Sequence, residues 1–148
     1  MTIIPGSKDE CICRVVRDAA RSLTNAYDRA LAPSGLRTAQ FTLLSVLARQ
    51  SVASVNQLSE LLGIDQTTTT RNLSVLEGAG LVIRVPHHDP RVKLMKLTPK
   101  GKQKRQIAVD CWQKMQEHVT SSISPDEWRT FQKVLHTIED RCNTWEQL

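Results

Sequence analysis

The chain has 148 residues, with 20 Lys/Arg against 15 Asp/Glu and a formal charge of +5, enough for one domain or for a small module with dimerisation helices. No stretch approaches the roughly 18 apolar residues of a membrane span, and the N-terminus lacks the basic-then-apolar pattern of a signal peptide. Cys11, Cys13, Cys111 and Cys142 are too few and scattered for a disulfide framework, so a reducing cytoplasm is expected, and the scarcity of aromatics disfavours a stacking platform for single-stranded nucleic acid.

From Ile12 the apolar residues Val15, Val16, Ala19, Ala20, Leu23, Ala26, Tyr27, Ala30 and Leu31 form a stripe at helical period, stopped by Pro33 and Gly35. Thr38 is the expected cap of a second helix, with Phe41, Leu44, Leu47 and Ala48 on its buried face toward Arg49. Ser54 with Gln57 three residues later is a capping box for a helix ending near Leu62 and Gly63. Asp65 then caps another helix to about Gly78, whose apolar residues Leu73, Val75 and Leu76 come late. Its opening turns carry Gln66, Thr67, Thr68, Thr69, Thr70, Arg71 and Asn72. Threonines are poor helix filler because β-branched side chains lose rotamer freedom there. Their presence suggests a face wanted for contact. A Thr-rich strand or loop is the plainer alternative, and the cap and the following Leu spacing argue against it.

Leu81 to Val85, ended by Pro86, and Val92 to Leu97 read as strands around the loop His87-His88-Asp89-Pro90-Arg91. Thr98 with Pro99 at the first helical position starts a long helix to about Ser122. Ser124, Pro125 and Glu127 open the last one. Its residues Trp128, Phe131, Leu135, Ile138, Cys142 and Trp145 are spaced like a coiled-coil seam. The sequence therefore predicts a mainly α fold with a small β wing. This is a winged helix-turn-helix over residues 37–98, flanked by dimerisation helices over 11–36 and 99–148, in a single domain spanning 1–148.

Charge follows the same division: residues 1–64 carry +2, residues 65–105 carry +6 and residues 106–148 carry −3. The positive block coincides with the expected helix-turn-helix, as phosphate contact requires. One small module has little surface to cover three amphipathic helices. A second copy could cover them, and it would set two reading helices about one DNA turn apart, roughly 34 Å. The plainer alternative is a monomer whose terminal helices pack on each other.

From Asp89 the chain reads D-P-R-V-K-L-M-K-L-T-P-K-G, which resembles the D-x-R-x5-L-T-x-x-G wing signature of the MarR family of bacterial transcriptional regulators. L-x-x-L-E-G-A-G-L-V-x-R from Leu73 to Arg84, and G-L-R-T-A-Q-F-T-L-L from Gly35 to Leu44, resemble the family's recognition-helix exit and an upstream segment. The resemblance implies a homodimer that binds a pseudopalindromic operator in double-stranded DNA, as a repressor or activator. Release would come from a small, often aromatic, acid or from oxidation. It also implies that Arg91 enters the minor groove, braced by Asp89. A narrow groove concentrates negative potential, which suits an arginine there. Gln66, Thr67, Thr68, Thr69, Arg71 and Asn72 occupy matching recognition-helix positions, where hydroxyl, amide and guanidinium groups can meet phosphates or base edges.

Cys13 matches the reactive cysteine of the family's peroxide-sensing members, and Tyr27 matches one of two tyrosines that engage it. At the second tyrosine position this chain has Thr38. Fourteen helical residues span roughly 21 Å, so Cys13 and Tyr27 could meet only across a dimer. Three readings of Cys13 stand: buried filler, thiol switch, or metal ligand with Cys11. The cluster His87-His88-Asp89 lacks the spacing of a helical zinc site, and no phosphate-cradling glycine loop or nucleophile elbow is present. Neither an enzyme, nor a metal site, nor a cofactor is expected. The competing function is a winged helix that binds a protein partner instead of DNA.

Overall fold

The computed structural model describes residues 11–145 and divides into two compact units, one reaching Gln113 and the other starting at Lys114. The elements follow the order α1 (Ile12–Leu31), α2 (Thr38–Gln50), β1 (Ala53–Ser54), α3 (Val55–Leu62), α4 (Gln66–Gly78), β2 (Val82–Val85), β3 (Leu94–Leu97), α5 (Pro99–Thr120) and α6 (Pro125–Asn143). None of the described helices is long and apolar enough to cross a membrane.

In the first unit the core is built where helical stripes meet the sheet. Leu43, Leu44 and Leu47 of α2, Leu58 of α3, Leu73 and Leu76 of α4, and Val82, Met95 and Leu97 of the strands are buried together. α1 ends in a short 3-10 turn, Ala32–Ser34, where the buried Ser34 hydroxyl donates to the Leu31 carbonyl at 2.6 Å and accepts the Leu36 N–H at 3.2 Å. The α2 cap differs from expectation. Thr38 is the first helical residue and Arg37 the cap, because the Thr38 N–H and hydroxyl both donate to Asp28 of α1, each at 2.7 Å.

Ser54 and Gln57 form the expected capping box, with bonds of 3.1 and 2.9 Å. α3 then ends at Gly63, whose φ of +63° is a left-handed value that glycine adopts without a Cβ penalty. That break sets α4 against α3 within a few residues. The sheet is antiparallel in the order β1-β3-β2, with Ala53 opposite Met95 and Val82 opposite Leu97. β1, two residues long, has no signal in the sequence; it exists only by pairing with β3. The segment Asp89–Val92 is turn, so β3 begins at Leu94 and not at Val92.

In the second unit, α6 has the expected Ser124 cap, first-turn Pro125 and Glu127 in a capping box. Trp128, Phe131 and Val134 on it are each 41–51% exposed, and the Trp128 and Phe131 rings lie 5.8 Å apart. Trp145 falls beyond the last turn of α6, so the apolar seam ends within the helix.

Candidate nucleic-acid interface

The exposed face of α4 is defined by what its other face buries. Thr69, Leu73 and Leu76 are buried at helical spacing. The Thr69 side chain is fully buried. Its hydroxyl donates to the Asp65 carbonyl at 3.1 Å and accepts from Ser59 of α3 at 2.9 Å. Thr69 is therefore a packing residue between the two helices, and its expected place among the DNA-contacting residues is corrected. The i, i+4, i+7 pattern with Leu73 and Leu76 was the available signal.

Gln66, Thr67, Thr68 and Arg71 are exposed and Asn72 is half-buried. Two of these are already engaged within the helix. The Thr68 hydroxyl and N–H donate to the Asp65 carboxylate at 2.7 and 2.8 Å, and the Asn72 amide donates to the Thr68 carbonyl at 3.1 Å. Those Thr68 bonds hold the Asp65 carboxyl below its ordinary pKa, so the cap stays ionised at neutral pH. Gln66, Thr67 and Arg71 donate to no other described side chain and face water.

Beside them lies a cleft of about 280 Å³ lined by Ser54, Val55 and Asn56 from the start of α3, Gln66 and Thr70 from α4, and Arg91, Val92 and Lys93 from the wing. Three segments far apart in sequence thus converge on one polar surface with two cationic side chains. Ser54, Asn56, Thr70 and Lys93 were missed from sequence. Thr70 falls on the Gln66 face by i, i+4 spacing, but nothing local signals that Asn56 and Lys93 adjoin it.

The wing is shaped by Asp89 in a different way from that expected. One carboxylate oxygen accepts the Arg91 backbone N–H at 2.8 Å, an Asx turn. The Asp89 N–H donates to His87 Nδ1 at 3.1 Å, and the Val92 N–H to the Asp89 carbonyl at 3.1 Å. No ion pair joins Asp89 to the Arg91 guanidinium among the described residues. Asp89 folds the loop that carries Arg91, and the guanidinium is left to solvent.

The structure does not gather the candidate sensor residues in one chain. Cys13 is exposed near the start of α1, with Arg17 Nη2 3.5 Å from its sulfur. It is thus not buried filler within the chain. Tyr27, half-buried at the far end of the same helix, has its phenol pKa raised by burial. The Thr38 hydroxyl donates a hydrogen bond to Asp28. Burial would raise the Asp28 carboxyl, but the two Thr38 bonds and the nearby Arg37 outweigh it, and the pKa lies below the ordinary value. Thr38 thus joins the start of α2 to α1.

A basic wing, an exposed polar reading helix and a helix-turn-helix break define a winged helix-turn-helix transcriptional regulator. The family model described as MarR family matches residues 34–91. The transcriptional regulator MosR of M. tuberculosis, solved in complex with DNA, is 39% identical over 88% of this chain and 98% of that one, with a TM-score of 0.77. A mutant of E. coli MarR complexed with operator DNA shares the fold at 24% identity, covering 86% of this chain and 92% of its own, with a TM-score of 0.79. The HTH-type transcriptional regulator BilQ of Clostridioides difficile is 25% identical over 132 residues, 88% of this chain and 89% of BilQ. The chain belongs to the MarR family.

Proposed function

We propose that this chain is a homodimeric, cytoplasmic repressor that grips a pseudopalindromic operator and carries out no enzymatic step. The observation that carries this reading is the shared cleft in which Gln66 and Thr70, Ser54 and Asn56, and Arg91 and Lys93 meet. A major groove admits a helix such as α4, so Gln66, Thr67, Thr70 and Arg71 read base edges and neighbouring phosphates. Arg91 enters the adjacent minor groove and Lys93 neutralises a phosphate. That MosR, a relative of this chain, was solved in complex with DNA supports the DNA-binding part of this reading. Pairing of two copies is supported by the exposed apolar residues Ile12, Val15, Val16 and Leu23 of α1 and Trp128, Phe131 and Val134 of α6. Release follows a small ligand or oxidation of Cys13, which lies exposed beside Arg17.

The test is a gel-shift titration on DNA selected by the protein from a random pool, over a range of salt. Affinity should fall steeply with salt. Arg91→Ala should weaken binding by about 1–3 kcal/mol with helical content unchanged. Failure to retain DNA at low salt would overturn the reading in favour of a protein-binding module, and an unaffected Arg91→Ala would remove the wing from it.

A further inference from the structure

The exit of α4 is held from outside the helix-turn-helix. The last turn spends its own carbonyls on its own cap: the N–H groups of Ala79, Gly80 and Leu81 donate to Val75, Glu77 and Leu76 at 3.1, 2.9 and 2.9 Å. The carbonyls of Ala79, Gly80 and Leu81 each find a partner at the start of α5. Lys100 Nζ donates to the Ala79 carbonyl at 2.7 Å, and the Thr98 hydroxyl donates to that of Gly80 at 2.7 Å. The Thr98 N–H donates to that of Leu81 at 3.0 Å. Gly101 closes the contact, since a Cβ on it would sit 2.0 Å from the Leu81 carbonyl oxygen. The Thr98 hydroxyl also accepts the Gly101 N–H at 2.9 Å.

The segment Gly78-Ala79-Gly80 has almost no side chain with which to pack, and a Cβ at Gly78 would meet nothing within 4 Å. The direction of α4 at this end is therefore set by backbone carbonyls held from α5. A lysine ammonium at a helix C-terminus also opposes the negative end of the dipole. Arg84 adds a tie from β2, with Nε and Nη2 donating to the two Glu77 carboxylate oxygens at 3.1 and 3.3 Å.

We infer that Lys100 and Thr98 are positioning residues for DNA reading: they clamp the α4 exit to α5, so that the α4 face is presented to the duplex at a fixed angle. The inference rests on the DNA-binding reading above. It assigns an inward task to Lys100, although an exposed lysine in a basic block would otherwise be read as a phosphate contact. The two roles differ in what they leave behind. Loss of a phosphate contact weakens all DNA alike and lowers the slope of log affinity against log salt by about 0.9. Loss of a clamp leaves the slope and the affinity for random DNA alone and lowers affinity for the selected sequence.

The experiment compares wild type, Lys100→Met, Lys100→Arg and Thr98→Val in two measurements. Amide hydrogen exchange at Ala79, Gly80 and Leu81 should quicken by about threefold to tenfold in Lys100→Met, as expected for loss of one water-screened hydrogen bond of ordinary net strength. Lys100→Arg should restore it, and Thr98→Val should behave as Lys100→Met does. Binding to the selected duplex should fall by a similar factor, with random-DNA binding and salt slope unchanged. Wild-type exchange rates in Lys100→Met, or an equal loss on both duplexes with a reduced salt slope, would overturn the inference. Should the wild type bind no DNA, the function proposed above fails, and exchange alone decides whether the clamp exists.

Discussion

Gly101→Ala is the sharpest test of how the first unit is put together. The added Cβ would lie 2.0 Å from the Leu81 carbonyl oxygen and 2.9 Å from its carbon, where an ordinary carbon–oxygen contact needs about 3.3 Å. The partner is backbone, so relief requires the start of α5 or the strand entry at Leu81 to move by roughly 1.3 Å. Overpacking of this kind costs about 1–3 kcal/mol. The same movement stretches the Thr98-to-Leu81 bond of 3.0 Å and the Gly101-to-Thr98 bond of 2.9 Å, each worth about 1 kcal/mol. Alanine returns about 1 kcal/mol as the better helix former. The expected net loss is about 2–4 kcal/mol. Urea unfolding followed by circular dichroism measures it, at one fixed protein concentration because association would add to apparent stability. An unfolding midpoint equal to that of the wild type would show that Gly101 is not held against Leu81, and the packing described for α5 would be wrong.

Thr69→Val replaces the buried hydroxyl with a methyl of similar shape, so unfolding should show a loss of about 1 kcal/mol while the selected DNA sequence stays the same; unchanged stability with a new sequence preference would restore Thr69 to the reading face. Asp28 has a folded pKa below its ordinary value, so its contribution is complete above the unfolded value of about 3.9 and is lost as pH falls through the folded one. Wild-type stability should therefore decline through that acidic window more than that of Asp28→Ala, and parallel pH profiles would contradict the Thr38 pairing. Light scattering should report a dimer at micromolar concentration and a monomer for Phe131→Glu, placed on the exposed apolar face of α6; a monomeric wild type would refute the burial argument.

Much of the fold follows from short-range chemistry. Ser54 with Gln57, Asp65, and Ser124 with Pro125 and Glu127 each satisfy helix-end N–H groups within three residues, so their helices begin where the sequence places them. Pro33 and Gly35 likewise end α1 through local backbone preference. The +6 charge of residues 65–105 and the wing signature marked the interface at the level of segments. Individual roles were less legible wherever a side chain's partner is remote in sequence. Thr38 gives up the expected capping role because Asp28, ten residues earlier, accepts its N–H and hydroxyl. Asp89 lies two residues from Arg91 yet serves the backbone and not the guanidinium, a choice that turn geometry makes.

The sequence by itself determined where α3, α4 and α6 start, which segment is basic and which face of each helix is apolar, because caps, charge and periodicity act over a few residues. Only the tertiary structure decided that Thr69 is sealed against Ser59, that Asn56 and Lys93 share a cleft with Gln66, and that Lys100 turns back to the Ala79 carbonyl. Those facts depend on how α3, α4, the wing and α5 come together, and burial or a hydrogen bond between residues far apart in the chain has no local signature.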